Sequence, residues 1–420
     1  MKKLLSLILT VCLVLCAFPI CSFADVTSEG FEYRIEDGSI TITGYNGYKA
    51  DCIIPSSIDG RKVKKVYQNG KNDSVVNLTV PESVEELGNF AKSDNLKTIV
   101  IKNGGCSIQA GSYANCSGLQ SLIIEDGGKG NGEIQKWAFA DCTKLETVKF
   151  SSKTKELGEE AFKNCDSIKE LTIPKTLRSL GGYCFAECGA LETLNIVDQP
   201  TYFGRGCFEN CTNLETVNLF EGVTSITSNP DLFFGCTGIE TFKTPFGLEI
   251  DPLPASDSYG YNTFKRCSSL TYFVMSYGPK CIPQKMFTEC TALSEVTIPY
   301  SVKTIHRDAF KDSDLTLIKG IRGTAAEDYA NYMGIPFEEI EHIYGDLDWN
   351  ERVEANDALI ALRYSVGLCD LIDYHKVSGD INKDGSVTSS DALIILQHSV
   401  GIKTDYWDIL GPVGKYEYNG

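Results

Sequence analysis

A cysteine recurs at a fixed interval through the middle of this chain, and this period constrains the fold more than any other feature. Cys142, Cys165, Cys188 and Cys211 follow one another at intervals of 23 residues. A repeat of this length predicts a solenoid, because one unit is too short to bury its own apolar face and needs neighbours. The same motif position is occupied by further cysteines at Cys116, Cys236, Cys267 and Cys290.

Each repeat unit combines a strand pattern with a turn pattern. In Leu145-Glu-Thr-Val-Lys-Phe150, apolar residues at positions 1, 4 and 6 predict a short strand with one buried face. The later segment Ala161-Phe162-Lys-Asn-Cys165 places its apolar residues on one side of a helical or 3₁₀ turn. We therefore expect an α/β-type solenoid of short strands and helical or 3₁₀ turns. Its units begin at Val75, Leu96, Leu119, Leu145, Ile168, Leu191, Leu214, Ile239, Leu270 and Leu293, and a final strand begins at Leu315.

The outward positions of these strands should form two columns across a sheet. Most residues in both columns are polar, which suits a broad binding surface, although exposed threonine-rich strands also occur without any function. The first column is Thr98, Ser121, Thr147, Glu170, Thr193, Thr216, Thr241, Tyr272 and Glu295. The second is Val100, Ile123, Lys149, Thr172, Asn195, Asn218, Lys243, Val274 and Thr297.

The N-terminus and the overall charge indicate a secreted protein. Residues 1–24 have a basic start, a short apolar run and small residues before Asp25, as in a secretory signal peptide. No other stretch approaches 18 apolar residues, so we expect no direct membrane insertion. The formal net charge of −17 disfavours nucleic acid and anionic lipid as partners.

The cysteines of a secreted chain usually indicate disulfides, but the repeat spacing favours another interpretation. A cysteine that stacks on its equivalents behaves as a small buried apolar residue, and we expect free thiols. Cys184 and Cys207, which also lie one repeat apart, leave a disulfide open as an alternative.

Two acidic loops near the C-terminus have the spacing of calcium-binding loops. Asp380-Ile-Asn-Lys-Asp-Gly-Ser386 recurs 34 residues earlier from Asp346, and each copy leads into a similar apolar helix. We predict two calcium ions, bound through side chains and through the carbonyls of Arg352 and Ser386. The first set of ligands is Asp346, Asp348, Asn350, Arg352 and Asp357; the second is Asp380, Asn382, Asp384, Ser386 and Asp391. Glu351 replaces the glycine of the second loop, which predicts weaker binding by the first.

Catalytic motifs are sparse. The four histidines, His306, His342, His375 and His398, form no zinc-binding pattern, and the repeat cysteines should be buried and inert. We therefore expect no enzymatic activity. A polysaccharide-degrading enzyme and a protease inhibitor stay open as alternatives. Direct carbohydrate binding would need exposed aromatic side chains, for which the candidates are Tyr183, Tyr202, Phe203, Tyr259, Tyr261, Tyr272 and Tyr277.

The repeat array resembles the BspA-like leucine-rich repeat family of bacterial surface and secreted proteins. The resemblance rests on Ala161-Phe162-x-x-Cys165-x-x-Ile168 and its equivalents. It implies an N-terminal β cap before the array and a closing helix after it. The expected boundaries are a signal peptide at 1–24, the cap at 25–74, the solenoid at 75–341, a calcium module at 342–403 and a tail at 404–420.

The duplicated loops resemble a type I dockerin, a small all-α calcium-binding module that attaches proteins to cohesin domains in cellulosome-type scaffolds. This resemblance implies a cohesin partner and partner-binding residues at Ala355, Asn356, Arg363, Ser389, Ser390 and Gln397. Leu362 and Leu396 are assigned to apolar packing. The expected protein is thus a secreted, scaffold- or surface-associated binder whose array recognises a protein, a cell surface or a plant polysaccharide.

Overall fold

The computed structural model describes most of the chain between Asp25 and Thr404 as strands, turns and helices. The described residues are 25–67, 72–88, 93–197, 202–219, 231–245, 248, 262–276, 278–340, 343–348, 352–369, 371, 376 and 378–404. The expected signal peptide, nearly all of the tail, Asn350 and Glu351 lie outside them. Among the described helices, none has the length and apolar character needed to span a membrane.

The described part of the chain begins with a small β cap that continues into the array. Apolar residues alternate along Phe31-Glu-Tyr-Arg-Ile, and this segment pairs antiparallel with the next strand and buries Phe31 and Tyr33, whereas Ile35 is exposed. The cap strands are β1 (Asp25–Val26), β2 (Phe31–Glu36), β3 (Ser39–Tyr45), β4 (Asp51–Ile53), β5 (Ser57–Ile58) and β6 (Arg61–Tyr67). β4 pairs with the first strand of the array and β6 with the second, so one apolar core serves both parts.

The expected strand columns form one face of the array, called here the strand face. Its strands are β7 (Asn77–Val80), β9 (Thr98–Asn103), β11 (Ser121–Gly127), β13 (Thr147–Lys149), β15 (Glu170–Ile173), β17 (Thr193–Ile196), β19 (Thr216–Leu219), β20 (Thr241–Lys243), β21 (Tyr272–Val274), β23 (Glu295–Thr297), β25 (Leu317–Gly320) and β26 (Phe337–Glu339). All pairings on this face are parallel, and the register places the predicted column residues side by side. The face is divided into three sheets, which end at β13, β19 and β26.

A second row of short strands lies opposite the strand face and was not expected from the sequence. These strands are β8 (Glu86–Gly88), β10 (Ser107–Ile108), β12 (Gly132–Ile134), β14 (Thr154–Leu157), β16 (Ser179–Leu180), β18 (Tyr202–Phe203), β22 (Cys281–Ile282) and β24 (Thr304–Ile305). From β8 to β18 they form a continuous parallel sheet with the cap. Strands of two to four residues leave too short an alternation to recognise in the sequence.

The Ala-Phe-x-x-Cys segments form 3₁₀-type turns that are interrupted at every second residue. The amides of Ala161 and Lys163 bond three residues back, to Gly158 and Glu160. The amide of Phe162 instead bonds to the Cys184 carbonyl of the next unit, at 2.8 Å. Glu160 and Asn164 have φ values of 53° and 57°, which a continuous helix does not permit. The turns therefore connect neighbouring units through backbone hydrogen bonds.

Two ladders of side chains run through the core of the array. Aromatic rings stack along it at centroid separations of 5.1 to 5.9 Å; they are Tyr113, Phe139, Phe162, Phe185, Phe208, Phe233, Phe264, Phe287 and Phe310. Beside them, the repeat cysteines from Cys142 to Cys290 donate their thiol protons to a carbonyl of the preceding unit. Cys188 Sγ, for example, lies 3.4 Å from the Phe162 oxygen. The cysteine is thus a weak donor as well as a small apolar residue.

The described cysteines carry reduced thiols, those of Cys184 and Cys207 included, and only Cys369 is more than marginally exposed. Burial raises the pKa of the Cys290 thiol to about 12. We predict that a thiol reagent at pH 8 modifies Cys369 alone when the protein, without residues 1–24, is folded. In denaturant, all fourteen cysteines should react. Slow or missing reaction after unfolding would instead indicate disulfides.

The solenoid ends in a closing helix, α1 (Ala325–Met333), which is followed by β26. Gly334 follows the helix in the left-handed conformation, with φ of 70°, and stops it. Two further helices, α2 (Ala355–Ser365) and α3 (Ser389–Ser399), belong to a separate apolar core. This second core includes Leu347, Ile360, Ile381 and Ile395.

Candidate calcium site

The two C-terminal helices begin in the same way, because the last acidic residue of each loop caps the helix. The Asp357 carboxylate accepts the backbone amide of Glu354 at 2.7 Å, and Asp391 accepts that of Thr388 at 2.9 Å. The other oxygen of each carboxylate reaches back to the start of its own loop. Asp357 accepts the Leu347 amide, and Asp391 accepts the Asn382 amide. Both carboxylates are fully buried and tie loop to helix.

The first loop brings three buried carboxylates together. Oxygen atoms of Asp346, Asp348 and Asp357 all lie within 4.8 Å of one another. Burial, and then the charge of Asp348, raise the pKa of the Asp357 carboxyl to about 7. Three acidic groups in one desolvated place repel each other unless a cation balances them. The donor set therefore fits a hard divalent cation such as calcium.

In the second loop, backbone amides donate hydrogen bonds to the carboxylates of the same loop. Asp380 accepts the amides of Asp384 and Gly385, and Asp384 accepts that of Ser386. Gly385 has a φ of 90°, which gives the sharp turn between the alternating ligands. This loop is more open than the first, since Asp384 and Ser386 are exposed. Its oxygen donors also fit calcium, with the Ser386 carbonyl available as a backbone ligand.

The predicted partner-binding residues differ in how far they are exposed. Ala355, Ser389 and Ser390 are exposed at the two helix starts, whereas Asn356, Arg363 and Gln397 are half-buried. Asn356 also donates to Asp348 at 3.3 Å, so it contacts a predicted calcium ligand. Arg352, whose carbonyl is a predicted ligand, is exposed and its guanidinium lies 3.6 Å from Glu354.

Two features of this module were missed or misjudged from the sequence. Leu362 and Leu396, expected to pack inside, are 43% and 41% exposed because they lie on the outer face of their helices. The ammonium of Lys243 on β20 lies 3.8 Å from Asp348, which connects the repeat array to the first loop. The sequence offers no signal for a contact between residues so far apart in the chain.

We predict that the first loop binds calcium more weakly than the second. Glu351 replaces a glycine there, which costs about 1 kcal/mol if that residue adopts positive φ. The cation of Lys243 also competes for Asp348. In calcium titrations, Asp380→Ala should remove the tighter site and Asp346→Ala the weaker one.

The Lys243→Met variant tests the effect of the lysine charge separately, because it removes that charge without altering a predicted ligand. It should strengthen the weaker site severalfold and leave the tighter one unchanged. A larger loss of affinity in Asp346→Ala than in Asp380→Ala would contradict the ranking.

Comparisons with known proteins agree with this two-part organisation. The BspA type leucine rich repeat region matches residues 64–154, 132–252 and 231–326, which together span more than half of the chain. The dockerin type I domain matches residues 344–400. Type I dockerins bind calcium and attach proteins to cohesin domains. No curated protein matches the sequence significantly.

Several solved structures of bacterial leucine-rich repeat proteins resemble this chain. A leucine-rich repeat protein from Bacteroides ovatus shares 19% identity with a TM-score of 0.46, over 75% of this chain and 100% of its own. A leucine rich cell surface protein from Faecalibacterium prausnitzii shares 16% identity with a TM-score of 0.27, over 75% and 98%. One from Eubacterium ventriosum shares 19% identity with a TM-score of 0.35, over 70% and 95%. This chain belongs to the BspA type leucine-rich repeat family and carries a type I dockerin domain behind its repeat array.

Proposed function

We propose that this protein is a secreted, non-catalytic binding protein that is held on a cohesin-bearing scaffold by its calcium-loaded dockerin. The array would then present its strand face to a protein, a cell surface or a plant polysaccharide. The main support for the proposal is that one chain contains both a dockerin domain, which serves for attachment, and a repeat array. Each has its own apolar core, so one part is able to be anchored while the other binds.

An apolar surface on the dockerin supports the attachment role. Equivalent residues of the two copies are exposed in pairs: Leu362 with Leu396, Val366 with Val400, and Leu368 with Ile402. Their exposed fractions lie between 41% and 75%. Large apolar side chains left exposed at matching positions of both copies support a protein interface. We assign this surface, called here the paired apolar face, to cohesin.

The strand face supports a binding role for the array. Side chains form a polar ladder along it: Asn218 donates to Asn195 at 2.7 Å, and Asn195 donates to Glu170 at 3.1 Å. Amides held in this way present fixed donors and acceptors to a ligand. The aromatic candidates give less support to sugar stacking, since Phe203 is buried whereas Tyr202 is 58% exposed. Tyr259, Tyr261 and Tyr277 lie outside the described residues.

A capture experiment on oriented protein tests the proposal. The full chain is loaded with calcium onto cohesin resin and exposed to cell-surface protein extracts and to plant cell-wall polymers. We expect a ligand to be retained, and Asn195→Lys on the strand face to reduce retention. The control Glu156→Lys makes a larger charge change, two units instead of one, on the opposite sheet and should have no effect. Release of reducing sugar from the polymers by the wild-type chain would overturn the non-catalytic assignment.

A further inference from the structure

The strand face is open between two consecutive repeat units that are otherwise tightly stacked. β13 pairs with β11, and β15 pairs with β17, but within residues 93–197, all of which are described, β13 and β15 are not paired. The same unit boundary is closed elsewhere. β14 pairs with β16 across it, and the rings of Phe162 and Phe185 stack at 5.2 Å.

A groove of about 710 Å³ lies where the pairing is interrupted. One wall comes from Glu146, Thr147 and Val148, and the other from Lys169, Glu170 and Thr172. Val148 is only partly buried in this opening. Its equivalents Leu122 and Leu171 are at most 1% exposed. The groove therefore reaches from the polar surface down to an apolar floor.

An oversized side chain accounts for the gap. At the last apolar position of the strand, neighbouring units carry isoleucine, and those side chains are at most 4% exposed: Ile101, Ile124, Ile173 and Ile196. The unit before the gap carries Phe150 instead. Its ring is partly buried and packs edge-on against Phe162, with centroids 5.8 Å apart. The larger ring holds β13 away from the position that pairing with β15 requires.

We infer that this groove binds an extended peptide segment, which adds a strand between β13 and β15. Two facing strand edges offer unpaired backbone donors and acceptors, which an extended chain satisfies on both of its sides. β13 is three residues long and β15 is four, so about three residues of the guest would pair on both sides. This assignment rests on the proposed binding role of the strand face and specifies its ligand class.

The walls determine which peptide fits. Outward-facing side chains of the guest lie between Thr147 and Glu170, and inward-facing ones lie beside Val148 and Leu171. Glu146, Asp166 and Glu170 make the lining acidic, while the cation of Lys169 is already paired with Glu192 at 3.3 Å. The groove thus selects alternating basic and small apolar residues.

Fluorescence anisotropy with defined peptides tests the inference on the full chain in calcium. The probe is a labelled seven-residue peptide of alternating lysine and valine. We expect saturable binding that weakens at least tenfold when alternate backbone amides of the probe are N-methylated. Replacing its lysines by glutamates should weaken binding to the same degree. Absence of binding, or equal binding of the N-methylated peptide, would overturn the proposal.

Two variants connect this binding to the groove. Phe150→Ile should let β13 and β15 pair, abolish peptide binding and leave the array folded. Glu146→Lys with Glu170→Lys should weaken binding at least tenfold, whereas Gln120→Lys with Thr193→Lys should not, because these residues lie just before β11 and on β17, which are already paired. Wild-type affinity in Phe150→Ile would refute the groove as the site. The capture of ligands by other parts of the strand face is measured separately, so the broader binding role stands or falls independently.

Discussion

Chelation of calcium is expected to unfold the dockerin and to abolish cohesin binding. The first loop holds Asp346, Asp348 and Asp357 within 4.8 Å of one another in a buried place, so their mutual repulsion opposes folding when no cation is present. At a calcium concentration of 1,000 times Kd, one site contributes about 4 kcal/mol to the folded state. Without it, α2 and α3 should lose most of their helical circular dichroism.

The measurement combines circular dichroism with cohesin binding in calcium and in chelator. The array supplies an internal control, since its apolar core is separate and its strand signal should stay unchanged. The double variant Val366→Asp and Val400→Asp should lose cohesin binding while keeping calcium binding and helix content. Tyr332→Asp, at a more exposed position on α1, should bind as the wild type does. Cohesin binding that persists in chelator would sink the assignment.

Removing one ring from the middle of the aromatic ladder is expected to destabilise the array by about 3 to 5 kcal/mol. Phe185 is fully buried and stacks on Phe162 at 5.2 Å and on Phe208 at 5.8 Å. Phe185→Ala leaves a cavity that both neighbouring rings line. A solenoid unit depends on its two neighbouring units for stability, so the cavity weakens both interfaces. Denaturant unfolding, followed by tyrosine and tryptophan fluorescence, measures the change in free energy.

Position in the ladder provides the control for this experiment. Phe310 stacks on Phe287 at the C-terminal end of the ring ladder and is 6% exposed, so Phe310→Ala should cost less than Phe185→Ala. Cohesin binding should survive in both variants, because the dockerin core does not share these side chains. A loss in Phe185→Ala no larger than that in Tyr202→Ala, an exposed site, would show that the ladder is not a principal source of stability.

The repeat and the calcium loops were predictable because their signals are local. The columns headed by Thr98 and Val100 follow from an alternation of two residues and from the unit period, and the observed register places them as expected within each sheet. The loop ligands follow from spacing alone, although their assignment to calcium stays a prediction. What the cysteines bond to was not evident, because the accepting carbonyls belong to the preceding unit.

Other features depended on size and on distant contacts. Phe150 fits the apolar pattern of its strand, so the pattern gives no warning that pairing stops beside it. Leu362 and Leu396 fit an amphipathic helix equally well whether they face the core or a partner. The contact between Lys243 and Asp348 joins parts that only the folded chain brings together.

The thiol-to-carbonyl bonds also bear on how such an array changes its length. The repeat cysteines from Cys142 to Cys290 donate to the unit before them, and the accepting atom is a main-chain oxygen in each case, as for Cys165 on Phe139 and Cys211 on Phe185. A main-chain acceptor is the same whatever side chains the neighbour carries. This bond therefore places no side-chain requirement on a unit that is gained, lost or exchanged, and the outer columns are free to diversify while the cysteine bonds stay constant.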